Sequence, residues 1–388
     1  MKSSQGESTS VRVPASNNIP SASTPKKNGI TPKMTAKRRA ILILLYILIV
    51  VFGLFAGGFT YFYINILGKI GEAYTPFVSK EDYDTIDFDS LDDFDADTSG
   101  DTSSSWADGG HTGVYIDADY PIAEVDQIDP DVENILVFGV DSRGTDDVEC
   151  RADAVMIVSI NQKTNTINLV SLMRDTGVTI QGRSSQDKLT HSYKYGGVGL
   201  LINTINENYG LDVQRFIMLD FSSAADVIDL VGGIDIDVQA EEVKYANQSI
   251  NEENELMDSS ISLLSYSGEQ TLNGVQVIAW ARIRHADSDF IRTSRQRTVA
   301  TALISKVSSM SYLDQLAILE DSAGMFETNM TSMDLLRIAT NAMGMADNIQ
   351  QYRLPDDNMY TVQQDPWMMI VDWDAQLPLL KEYIWGDS

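Results

Sequence analysis

Asn134-Ile-Leu-Val-Phe-Gly-Val140, Ala154-Val-Met-Ile-Val-Ser-Ile160 and Thr166-Ile-Asn-Leu-Val-Ser-Leu172 follow one another closely. Each is a continuous apolar run without polar alternation, which predicts a strand covered on both faces. The turn-like Asn161-Gln-Lys-Thr-Asn165 separates the second run from the third, so these two should form an antiparallel hairpin. The connection from Asp141 to Arg151 is too short for a helical crossover. All three strands should therefore meet at one edge, and Asp141, Arg143, Arg151, Asp153, Arg174 and Asp175 should share one rim of a sheet.

Working outward, Val198, Leu201, Ile202, Ile205 and Tyr209 recur at helical spacing before Gly210. Phe216-Ile-Met-Leu219 predicts another strand, followed by a helix capped by Ser222 or Ser223 and then the strand Ile234-Asp-Ile-Asp-Val238. Strands alternating with helices predict a layered α/β/α domain with a central mixed sheet. Residues 240–268 are acidic and polar and read as a variable surface loop. Residues 311–388, with an expected helix from Gln376 to Tyr383, read as a C-terminal extension packing on a domain of residues 131–310.

Upstream the chain is of another kind. Residues 1–39 are rich in Ser, Thr, Pro and Lys, a composition that buries too little apolar surface to fold. Residues 40–67 contain no charged side chain and exceed the length that crosses a hydrocarbon core. Lys33, Lys37, Arg38 and Arg39 precede them, so the tail should be cytoplasmic and everything after the span outside. The expectation is a single-pass signal anchor. Residues 68–130, with their acidic run from Glu81 to Asp101, read as an extended stalk.

Net charge is −28 over 388 residues, and the first 40 residues carry eight Lys/Arg against one acid. The remainder therefore holds −28 − 7 = −35, which disfavours nucleic acid as a partner. Cys150 is the sole cysteine, which excludes an intramolecular disulfide and a cysteine-rich zinc site. Against this acidic background, Ala281-Arg-Ile-Arg-His-Ala-Asp-Ser-Asp-Phe-Ile-Arg-Thr-Ser-Arg-Gln-Arg297 concentrates five arginines. A helix opened by Arg292 and running to about Met310 would turn Arg292, Arg295 and Gln296 in one direction. Arg282 and Arg284 alternate about Ile283. Arginine's planar fork donates two parallel hydrogen bonds to phosphate oxygens, so the cluster predicts a site for a phosphate-bearing ligand.

Together these motifs resemble the LytR-CpsA-Psr family of cell-envelope phosphotransferases. The resemblance rests on Asn134-Ile-Leu-Val-Phe-Gly-Val-Asp-Ser-Arg143, Arg151-Ala-Asp153, Leu169-Val-Ser-Leu-Met-Arg-Asp175, Lys188-Leu, Tyr193-Lys-Tyr-Gly-Gly197, Arg282-Ile-Arg-His285 and Asp289-Phe-Ile-Arg-Thr-Ser-Arg-Gln296. It implies transfer of a glycopolymer from an undecaprenyl-pyrophosphate carrier to a peptidoglycan hydroxyl, at the cell membrane of a bacterium, expected to be Gram-positive. It further implies that Arg151, Arg174, Arg282, Arg284, Arg292 and Gln296 hold the pyrophosphate and that Asp141 and Asp153 hold Mg²⁺. Arg143, Lys188 and Arg295 are added as pyrophosphate ligands because they belong to the same motifs. Met173 and Thr190-His191-Ser192 depart from the family's pattern.

Phosphoryl transfer asks mainly for positioning and charge neutralisation, the roles expected of Arg174 and Arg284. Asp289 and Asp175 are equal candidates for the base that takes the acceptor's proton. His285 reads as a supporting or packing residue, and His191 has no preferred reading. Two other functions fit the same arginines: a regulator that binds polyprenyl phosphates without turnover, and a transferase that glycosylates surface proteins.

Overall fold

The computed structural model describes residues 77–78, 121–140, 151–257, 260–283, 289–322, 324–342 and 344–386. The basic tail, the apolar run 40–67, most of the stalk, Asp141, Arg143, Arg284 and His285 lie outside them. Among the described residues no helix is long and apolar enough to cross a membrane.

The three apolar runs become β3 (Val132–Val140), β4 (Ala152–Asn161) and β5 (Thr166–Leu172). β4 pairs antiparallel with both neighbours. β8 (Arg215–Asp220) adds in parallel to β3. Along each strand alternate side chains enter opposite layers. Leu136, Phe138, Ile157 and Val170 pack under Leu200, Leu201 and Ile205 of α1 (Leu189–Tyr209). Ile135, Met156, Ile167 and Leu169 pack on the other face, against Leu335 and partly buried Ala300 and Ile304. The layered α/β/α reading holds, with helices on both faces of a mixed sheet.

One irregularity matters for the site. Gly139 pairs with Ala154 and Val140 with Ala152, so Asp153 is the extra residue of a β-bulge at the end of the sheet. A bulge redirects the side chain that it contains.

The C-terminal segment does more than pack on the domain. β11 (Glu327–Thr328) and β12 (Ile349–Leu354) form the two outer strands of the six-stranded order β11-β8-β3-β4-β5-β12. Residues beyond 310 thus complete both edges of the sheet. The stalk also ends earlier than expected. β2 (Ile122–Ala123) pairs in parallel with β1 (Phe77–Val78), and Ile122 is fully buried in the α1 layer. Asn203 on α1 accepts from the Ala123 amide at 3.0 Å and donates to Pro121 O at 2.9 Å. Residues 121–130 are therefore part of the folded domain.

The expected loop 240–268 is largely a helix. α2 (Phe221–Leu230), α3 (Ala240–Met257) and α4 (Gly274–Ala281) accompany an antiparallel pair of β9 (Ile234–Val238) and β10 (Gly268–Leu272), with α3 in the connection between the two strands. Val243, Ala246 and Ile250 form an apolar stripe facing Ile236, Val238 and Val277, concealed in the sequence by the acids between them. Asn247 and Asn254 then fasten the returning chain through paired bonds to the backbone of Leu264 and Ile261. The cap of α2 is Asp220, whose carboxylate accepts from the Ser223 amide, rather than either serine. The arginine helix, α5 (Asp289–Ser308), starts at Asp289, one turn before the expected Arg292.

Because Ile122 belongs to the main core, Ile122→Ala should lower unfolding free energy by roughly 2–5 kcal/mol in urea denaturation. An unchanged midpoint would place residue 122 in the stalk after all.

Candidate active site

The site forms where β5 ends. The Met173 amide donates to Leu354 O of β12 at 2.9 Å, and the Thr176 hydroxyl donates to Met173 O at 2.7 Å. These bonds fix the turn that carries Arg174 and Asp175. Arg174 then reaches across the rim: an Nη donates to Asp153 Oδ1 at 2.7 Å, and Nε lies 3.4 Å from Asp175 Oδ2 and 3.7 Å from Asp289 Oδ1. One guanidinium thus joins the bulge of β4, the end of β5 and the start of α5.

Two more cations close the cluster. Lys188 Nζ, on β7 (Asp187–Lys188), sits 2.8 Å from Asp175 Oδ1, and Arg292 lies 2.5 Å from Asp289 Oδ1. Arg292 is 5% exposed, so its charge is held inside the protein by that carboxylate. Asp289 in turn occupies the first turn of α5, where the helix dipole favours an anion. Burial works to discharge Arg174, but Asp153, then Asp289 and Asp175, more than offset it and hold its pKa above the usual arginine value.

The structure therefore brings together Asp153, Arg174, Asp175, Lys188, Asp289 and Arg292. Arg151 is exposed at the start of β4, within electrostatic reach of Tyr195. Gln296 is half-buried on α5. Arg282 and Arg295 are engaged elsewhere. Arg282 pairs with Glu253 at 2.7 Å and stacks 4.3 Å over Phe221. Arg295 Nε donates to Glu242 Oε1 at 2.8 Å, while the Trp280 indole donates to Oε2 at 2.7 Å. Arg292 and Arg295 do not point one way: the half-buried Glu242 draws Arg295 to itself. Asp141, Arg143 and Arg284 lie outside the described residues.

A further network was not anticipated. Asp187 accepts from the Lys188 amide and the Tyr195 hydroxyl, both at 2.7 Å, and lies 2.7 Å from His191 Nδ1. Arg183 flanks it at 3.7 Å and stacks on Tyr195. The four-residue spacing of Asp187 and His191 is the signal in the sequence, since it places them on one side of a helix start. Lys188 also lies 5.4 Å over the ring of Trp367, in β14 (Trp367–Val371).

The LytR_cpsA_psr family model matches residues 108–376. The chain belongs to the LytR-CpsA-Psr family. Its LytR-CpsA-Psr relatives include polyisoprenyl-teichoic acid–peptidoglycan teichoic acid transferase TagU of Bacillus subtilis (strain 168), 31% identical over 227 residues, covering 57% of this chain and 67% of TagU. TagT of the same strain, another transferase of that name, is 31% identical over 208 residues, covering 52% of this chain and 62% of TagT. Among solved structures, TagT bound to LIIa-WTA superposes with a TM-score of 0.54 at 25% identity, over 67% of this chain and 92% of that one.

The Asp187 carboxyl is held at about 2: burial opposes ionisation, but His191, Tyr195 and the Lys188 amide more than offset it. A depressed carboxylate stabilises the fold fully above its unfolded value near 3.8 and loses that contribution as pH falls toward 2. Between pH 4.5 and 2 the protein should lose about 1–2 kcal/mol more than Asp187→Asn does, after allowance for solvent screening. Parallel losses in denaturant titrations would contradict this.

Proposed function

We propose that this chain transfers a glycopolymer from an undecaprenyl-pyrophosphate carrier to a peptidoglycan hydroxyl, forming a phosphodiester. The observation that carries the reading is the Arg174 cluster. In a chain of net charge −28, three cations converge on three carboxylates at the rim of a family fold whose relatives TagU and TagT are named as such transferases. The carboxylates hold the cations in place and aim them at phosphate oxygens. Bidentate arginines and a point-charge lysine suit a diphosphate, whose transition state asks for neutralised and positioned oxygens.

The described cluster is balanced, three positive against three negative, so an incoming diphosphate needs additional positive charge. Arg151, Arg143 and Arg284 supply part of it in this reading. Mg²⁺ supplies the rest. Among the described residues no group of three or more His, Cys, Asp or Glu is placed to hold a metal alone. Asp153, a hard oxygen donor turned to the rim by its bulge, fits a magnesium ion that takes its other ligands from Asp141, phosphate and water. When bound, that ion would neutralise phosphate charge. Arg174 holds Asp153 in position, and Arg292 and Lys188 orient the anionic oxygens.

The same reading makes the apolar run 40–67 a membrane anchor with a cytoplasmic tail, which keeps the domain on the outer face, where a lipid-borne substrate and peptidoglycan are both present. The polymer and acceptor class follow from the relatives' names alone. A polyprenyl-phosphate-binding regulator would share the cations.

The deciding experiment incubates the full chain in detergent with a pyrophosphate-linked lipid oligosaccharide and peptidoglycan, with and without Mg²⁺. Linked product is expected only with Mg²⁺, and Arg284→Ala and Arg292→Ala should each abolish it. Lipid binding without product would favour the regulator.

A further inference from the structure

Resting on the transferase reading, the geometry points to His191 as the general base that deprotonates the acceptor hydroxyl, with Asp187 as its positioning residue. Proton transfer needs a lone pair that a hydroxyl can reach. The rim carboxylates each spend at least one oxygen on a cation. Asp175 has Lys188 at 2.8 Å from one oxygen and Arg174 at 3.4 Å from the other, and Asp289 and Asp153 are each held by arginine at 2.5 and 2.7 Å.

His191 stands beside them with the arrangement of a base. Its Nδ1 lies 2.7 Å from Asp187 Oδ1, so the carboxylate fixes the tautomer that carries the proton on Nδ1 and leaves the Nε2 lone pair outward. Nε2 has no partner among the described residues, and the side chain is 23% exposed. Asp187 is itself fixed by the Tyr195 hydroxyl and the Lys188 amide, and it stays ionised throughout the physiological range.

The placement ties this pair to the phosphate cluster. Thr190, adjacent to His191, donates its amide to Arg174 O at 3.0 Å and its hydroxyl to Ala152 O at 2.9 Å. The backbone next to His191 is therefore anchored between the strand ends that carry Arg174 and Asp153. Asp187 and Tyr195 contact the His191 ring, Arg183 lies against that same pair, and Arg151 acts on Tyr195.

In the reaction, the acceptor oxygen attacks the glycan-bearing phosphorus while its proton passes to His191 Nε2. The bond from that phosphorus to the bridging oxygen breaks, and its electron pair leaves with the polyprenyl phosphate. The imidazolium then returns its proton to solvent.

The test measures transfer by the full chain in detergent across pH, for wild type, His191→Ala, His191→Gln and Asp187→Asn, alongside lipid binding and thermal midpoints. Both His191 variants should bind lipid normally, lose on the order of 10²–10³-fold in kcat and lose the ascending limb of the pH profile. Added imidazole should restore part of the His191→Ala rate, which a folding defect would not allow. Asp187→Asn should lower kcat at unchanged KM. If wild type transfers and the His191 variants keep its rate or its ascending limb, the base assignment falls alone. If wild type binds lipid and transfers nothing, the transferase reading falls with it.

Discussion

Arg174 is the contact on which the site depends. Its guanidinium binds carboxylates from the β4 bulge, its own turn and the first residue of α5, so three separately folded segments meet at one cation. Breaking a part-buried pair leaves its partners as uncompensated charges, which costs several kcal/mol and loosens their geometry. The surrounding acidity sharpens the requirement. A domain this negative repels an anionic substrate except where cations are gathered and aimed, and the carboxylates around Arg174 do the aiming.

The sheet supplies the rigidity behind this contact. β3 and β5, to either side of β4, end at the same rim because β4 is antiparallel to both, and β12 locks the turn after β5 through the Met173 amide. The C-terminal segment thus supports the site directly. Phe290, next to Asp289, stacks under Arg353 of β12 at 4.3 Å, a second tie between that segment and the start of α5.

Much of this was legible in the sequence. Continuous apolar runs and a short connection were enough to place Asp153, Arg174 and Asp175 on one rim, because strand direction follows from loop length. Other features were hidden for physical reasons. α3 presents so few apolar residues among its acids that its stripe reads as surface, and only a partner core reveals it. Arg292 and Arg295 share a helix face by spacing, yet Glu242 draws Arg295 away, a tertiary contact that no local pattern encodes. The end of the stalk is hidden because Ile122 is one of a few apolar residues scattered in an acidic segment, and the side chain that binds the backbone on either side of it, Asn203, lies far along the chain. Asp187 and His191 were within reach of the spacing argument. What the spacing does not contain is the Tyr195 hydroxyl that completes the network.

The central claim is that a diphosphate binds at Arg174. Calorimetric titration of the full chain with a soluble isoprenyl diphosphate in Mg²⁺, compared with Arg174→Ala, tests it most directly. The account predicts measurable binding by the wild type, weakened on the order of 100-fold or more in the variant, since a lost charge-assisted bond of about 3 kcal/mol corresponds to that factor. Equal affinities in two proteins that both remain folded would contradict it.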